Sequence, residues 1–162
     1  MSSDTFEVES ATTAVTADRP RILYLVHRIP YPPNRGDRIR SYHLLRFLAA
    51  RAEVYLGFLC EQQPGDQVLG SLRPHCVDLA AVPAGGAARW ARGAAWLAAG
   101  GTATEGLFYR PALARAIQGW STERPFDLIV AFCSSMAPYL DLPATRDVPA
   151  VVDLVDVDSQ KW

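Results

Sequence analysis

Apolar positions fall into short unbroken runs, and between the runs they recur every three or four residues. Residues 22–27 (ILYLVH) form the first run, between Pro20 and the proline-rich stretch 28–36 (RIPYPPNRG). A strand with one wet face alternates polar and apolar residues. A run without alternation suits a parallel strand covered on both faces. The prolines of 28–36 exclude helix and strand. Asp37 is placed to cap a helix reaching about Arg51, with Leu44, Leu45 and Leu48 on one stripe. A second run, 54–59, follows closely, so that strand, loop, helix and strand make one βαβ unit.

The pattern then repeats. Residues 67–72 predict a short helix, 77–82 a third strand, and 87–99 an alanine-rich helix ended by Gly100 and Gly101. Pro111 suits a helix's first turn, and Leu113, Ala116, Ile117 and Trp120 supply its buried stripe up to Pro125. Residues 127–132 (DLIVAF) predict a fourth strand, with Ser134 or Ser135 capping a short helix behind it, and 150–155 (AVVDLV) a fifth. Such alternation predicts an α/β fold, a Rossmann-like, doubly wound parallel sheet.

At 162 residues the chain is long enough for one domain, and with 49% hydrophobic residues it can fill a core. Residues 1–20, rich in Ser, Thr, Ala and acids, read as a disordered tail without the basic and apolar regions of a secretory signal. That leaves 21–162 as the domain. Sixteen Lys and Arg against seventeen Asp and Glu argue against nucleic-acid binding through bulk charge. Cys60, Cys76 and Cys133 show no C-x-x-C spacing, which predicts buried thiols in a reducing compartment and neither a disulfide framework nor a metal site. Asp158 and Ser159 would cap a helix that Trp162 leaves one turn long, so the domain is expected to be incomplete at its C-terminus.

Ligands of an open parallel sheet bind beyond the carboxyl ends of its strands, which directs attention to 27–37, 60–62, 133–136 and 153–159. Gly36 precedes a helix amino end, where free N–H groups favour an anion, and Arg28, Arg35, Arg38 and Arg40 can add phosphate contacts. The other reading is a turn glycine, a capping Asp37 and solvated arginines. No G-x-G-x-x-G is present, which argues against a dinucleotide. Residues 153–159 (DLVDVDS) carry Asp153, Asp156 and Asp158 past a strand end, where a carboxylate can act as a general base or bind sugar hydroxyls. Asp156 and Asp158 also match the short D-x-D pattern of metal-dependent transferases, or form an acidic loop with a helix cap. Cys133 lies where a helix dipole could activate a thiol, but no general base is evident beside it. His27 and His43 read as structural. Arg89, Trp90, Arg92 and Trp96 suit a membrane interface or close helix packing.

Residues 22–48, 126–138 (FDLIVAFCSSMAP) and 151–162 (VVDLVDVDSQKW) resemble the sugar transferases of PEP-CTERM/exosortase systems, within the retaining glycosyltransferase family 4 group. The resemblance implies the N-terminal, acceptor-side half of a GT-B enzyme of exopolysaccharide synthesis, without a metal or other cofactor. A nucleotide-sugar would bind only with a second domain, opposite a glycan or lipid-linked acceptor. The resemblance also implies a cytoplasmic location, peripheral at most to the inner membrane. It places Gly36 and Asp37 near donor phosphates and acceptor, Asp156 at the transferred sugar as the candidate catalytic residue, and Arg40, Asp153 and Asp158 among substrate contacts. It demotes the metal reading. The alternatives are a non-catalytic binding module, or a split-enzyme half that pairs with a separate donor domain.

Overall fold

A computed structural model describes residues 19–85, 88–98, 100 and 103–154. Residues 1–18 of the expected tail lie outside that set. Arg19 and Pro20 are anchored: Arg19 Nη2 donates to the Ala49 carbonyl at 2.9 Å, and the Glu53 N–H donates to the Pro20 carbonyl at 2.9 Å.

Five strands form one all-parallel sheet in the order β3-β2-β1-β4-β5. They are β1 (Arg21–Val26), β2 (Glu53–Cys60), β3 (Asp78–Pro83), β4 (Leu128–Phe132) and β5 (Ala150–Asp153). The helices are α1 (Gly36–Ala49), α2 (Asp66–Leu72), α3 (Ala88–Ala98), α4 (Ala103–Phe108) and α5 (Pro111–Trp120). The chain works outward from β1 in one direction, then returns to pair β4 on the other side of β1. The sheet is therefore doubly wound, with its reversal between β1 and β4.

Side-chain alternation sends β1 into two cores. Ile22, Tyr24 and Val26 pack with Leu45 and Leu48 of α1, while Leu23 and Leu25 pack with Leu113 and Ile117 of α5. Burial of all six β1 residues is the physical reason its sequence has no polar alternation. On the α5 side, Gly57 of β2 lets the helix approach: a Cβ there would lie 2.8 Å from Leu113 Cδ1 and 2.9 Å from Leu25 Cδ2.

Several expectations need correction. Helix α1 starts at Gly36, with Arg35 at the cap position and no side-chain cap bond, so Asp37 is a first-turn residue and not the cap. Its carboxylate faces the positive helix end instead. Ser134 and Ser135 do not cap a helix either. They begin a 3-10 turn, Ser134–Tyr139, whose preceding residue is Cys133. Short helix α4 was not expected from the sequence, and in α5 Ala114 joins the buried stripe where Ala116 was expected. Strand β5 ends at Asp153 and carries exposed Val151 and Val152, although its sequence reads as buried on both faces.

Candidate functional site

The β1–α1 loop, the amino end of α1, the turn after β4 and the end of β5 meet at the carboxyl edge of the sheet. Register fixes their neighbourhood: Val26 pairs with Phe132, and Phe132 with Asp153. Of the six residues singled out above as site residues, Gly36, Asp37, Arg40 and Asp153 lie on this edge. Asp156 and Asp158 lie outside the described residues, as does Val155 of the expected fifth strand.

Arg40 and Asp153 are joined by an ion pair at 2.7 Å that bridges α1 to β5. The Arg40 guanidinium also lies 5.8 Å from the centre of the Phe132 ring, so the bridge passes over the end of β4. Beneath it, Tyr24 donates to the Ser41 carbonyl at 3.0 Å. Burial, then the Asp153 carboxylate, push the Tyr24 phenol well above its ordinary value, against a smaller pull from Arg40. Tyr24 is therefore a neutral hydrogen-bond donor that fixes α1 over the sheet. Arg28 approaches Asp37 at 3.9 Å; both are partly in water, and such a pair contributes little. At Gly36 a Cβ would meet no atom within 4 Å. Packing does not require glycine there, and the first helical N–H groups stand open.

Cys133 has φ 88° and ψ 140°, a backbone conformation that side chains rarely adopt. Strain of this kind, of order 1–3 kcal/mol, persists only where the surroundings fix it. Here the Cys133 N–H donates to the Asp153 carbonyl at 2.8 Å, and its own carbonyl accepts from the Met136 N–H at 3.0 Å. His27 and Cys133 each follow directly on a strand end, after the paired residues Val26 and Phe132. Cys133 is half-buried, Cys60 is buried, and burial pushes the half-buried Cys76 thiol up to about 11.

His27 stacks on Phe132, with ring centres 6.2 Å apart and planes 11° from parallel, and its Nδ1 is buried without a hydrogen-bond partner. Burial first and the Arg28 cation second lower its pKa from the ordinary 6.5, against weaker pulls from the Phe132 backbone and Asp37. His75 is lowered as well, by burial and then Arg46. The unfolded chain therefore binds protons at a higher pH than the folded one. Stability contributed by the neutral imidazoles is complete above about pH 6.5 and declines as the pH falls below it. The urea midpoint is expected to be lower at pH 5.5 than at pH 7.5, and His27→Asn to narrow that gap. An unchanged gap in both His27→Asn and His75→Asn would contradict this assignment. His43, by contrast, is exposed and meets the Tyr42 ring edge-on at 6.0 Å.

Two concavities lie at the opposite, amino edge of the sheet. One, of about 540 Å³, is lined by Phe126, Pro143, Ala144 and Asp147 among others. The other, of about 190 Å³, lies between Arg19, Glu53 and His75. Open parallel sheets present helix amino ends and the strand-order reversal at the carboxyl edge, opposite these hollows. Among the described residues, no group of three or more His, Cys, Asp or Glu could hold a metal, and no helix is long and apolar enough to cross a membrane. Of the residues considered for a membrane surface, Trp96 is exposed at 37% and its ring lies 5.4 Å from that of Tyr109, tilted by 38°, while the side chains of Arg89, Trp90 and Arg92 lie outside the description. Comparisons of the chain with protein-family models, with curated proteins and with solved structures found no match.

Proposed function

We propose that this chain is the acceptor-side lobe of a retaining sugar transferase of the GT-B type, serving exopolysaccharide synthesis. Its carboxyl edge forms one wall of the cleft. The observation that carries the reading is the convergence at the sheet's reversal point. The open amino end of α1 at Gly36, the arginines of its first turns, and the Arg40–Asp153 bridge all meet there.

In this reading the α1 amino end and Arg28 or Arg38 receive phosphate oxygens of the donor, which the helix dipole and fixed N–H groups stabilise. Asp153 lies on the sugar side of the crevice; the sugar contacts assigned to Asp156 and Asp158 rest on the sequence resemblance, since both lie outside the described residues. The bond between the anomeric carbon and the donor phosphate oxygen breaks, a bond to an acceptor hydroxyl oxygen forms, and that hydroxyl's proton leaves with the nucleoside diphosphate on its phosphate oxygen. No metal is assigned a part. The donor's nucleotide is held by a second lobe, and the acceptor is a glycan or a lipid-linked glycan, met at the inner membrane surface without insertion.

Transfer requires both reactants in near-attack geometry, which one wall does not impose. The 162-residue chain incubated by itself with labelled nucleotide-sugars and lipid-linked acceptor is therefore expected to yield no glycosylated product. Turnover by this chain alone at ordinary enzymatic rates would refute the one-wall reading.

A further inference from the structure

We propose that the outward face of α1 docks on an anionic phospholipid surface, with Ile39 and Phe47 among the headgroups and the surrounding arginines on lipid phosphates. This face is distinct from the crevice wall, so the inference goes beyond the reading above and does not depend on it.

The first basis is which side of α1 the fold covers. Ser41, Leu45 and Leu48 turn inward and are buried against the sheet. The opposite arc, with the residues that flank the helix, carries Arg35, Ile39, His43, Arg46, Phe47 and Arg51, all of them exposed. Ile39 is 44% and Phe47 53% exposed, and the helical period brings the two onto one side with His43 midway between them.

The second basis is charge. Residues 19–51 hold eight arginines and a single acid, Asp37, whereas the whole chain has a formal net charge of -1. The carboxylates near α1 are engaged on the crevice side, Asp37 by Arg28 and Asp153 by Arg40. Among the described residues, no carboxylate pairs with Arg35, Arg46 or Arg51. Arg51 instead sets its guanidinium 3.8 Å from the centre of the Phe47 ring and donates to the Phe47 carbonyl at 3.0 Å. Charge and apolar surface therefore alternate along one side of the helix.

That combination selects the occupant. An anionic bilayer offers a plane of negative charge with an apolar layer beneath it. A helix lying in that plane turns its apolar side chains down while its arginines reach the headgroups, so both needs are met at once. A nucleic acid would answer the arginines, but its bases stack on aromatic rings and guanidinium planes and gain nothing from an isoleucine. Because α1 begins at Gly36, in the crevice, a membrane along this face holds a lipid-linked acceptor beside the crevice.

The 162-residue chain can be sedimented with vesicles of phosphatidylcholine alone, or of phosphatidylcholine with a one-third share of phosphatidylglycerol. Binding is expected only to the vesicles with phosphatidylglycerol, and is expected to fall at least roughly tenfold when salt is raised to about 0.5 M. Arg46→Gln and Arg51→Gln are each expected to weaken it roughly fivefold, and Phe47→Ser roughly tenfold. Tm should change little in all three, because the side chains are exposed. A nitroxide carried on the lipid headgroup should broaden the amides of Ile39, His43 and Phe47 in the unsubstituted chain, which needs no variant. Absence of binding, equal binding to both vesicles, or broadening centred on Trp96 and Leu97 would overturn the proposal. So would binding that Phe47→Ser leaves intact, with a single-stranded RNA bound more tightly than the vesicles, which would mark a nucleic-acid surface. Each of these results leaves the cleft reading standing, since sugar phosphates test the crevice separately.

Discussion

Arg110→Ala is expected to destabilise the fold by roughly 3–5 kcal/mol, the range for removing one member of a buried, charged hydrogen-bond network. Arg110 is 5% exposed and precedes α5. Its Nη1 donates to the Leu107 and Tyr109 carbonyls, each at 2.8 Å, and its Nη2 to the Ala84 carbonyl at 2.7 Å. The Arg110 backbone N–H donates to the Tyr139 hydroxyl at 2.7 Å, which itself donates to the Phe108 carbonyl at 3.0 Å. One side chain thus ties the end of β3 to the approach to α5, and the same residue's backbone ties that approach to the turn after β4. Truncation leaves three inward carbonyls unpaired and a cavity beside Tyr139. Arg110→Lys is expected to recover only part of the loss, because an ammonium lacks the planar fork that serves several carbonyls at once. Urea unfolding of the three proteins measures this, and a loss below about 1 kcal/mol for Arg110→Ala would show that the carbonyls find water instead.

Gly57→Val is the second large effect expected, a loss of about 3 kcal/mol from overpacking. The two atoms a Cβ would meet are the tips of Leu113 and Leu25 side chains, and both leucines are fully buried, so neither can swing into solvent. Alanine at this position meets the same two methyl groups but gains about 0.5–1 kcal/mol from lower chain entropy, so Gly57→Ala should be several-fold milder. Valine adds two γ-carbons and forces α5 away from β2. Since α5 shares one core cluster with β1, β2 and β4, its displacement should also loosen Ile117 and Phe126 from that cluster. Equal stabilities for glycine and valine at position 57 would contradict the close helix–sheet approach.

These expectations show what the sequence discloses and what it withholds. The core strands were legible because burial on both faces leaves an unmistakable run, as in the six residues of β1 or LIVAF in β4. The edge strand β5 has the same kind of run with its valines exposed, since sequence reports what a strand can bury and not what lies beside it. Caps were misassigned at Asp37 and Ser135, because Asp and Ser satisfy the same composition rule whether or not their oxygen reaches a backbone N–H. Gly36 and Asp37 were legible as site candidates from a loop followed by a helix start. Arg40 and Asp153 belong to segments more than a hundred residues apart and are joined only by the return of the chain to β4 and β5. The unpaired Nδ1 of His27 is a property of packing that no residue pattern encodes.

Ligand mapping by ¹H–¹⁵N chemical-shift perturbation tests the central claim most directly, since the molecule offers two opposite edges. Saturation with a hexose 1-phosphate is expected to move the amides of Gly36, Asp37, Arg40, Cys133 and Asp153, with little change at Ser121, Ala144 or Val148. Perturbations centred on the amino-edge hollow between Phe126 and Ala144, with the α1 amino end silent, would contradict the assignment of sugar handling to the carboxyl edge.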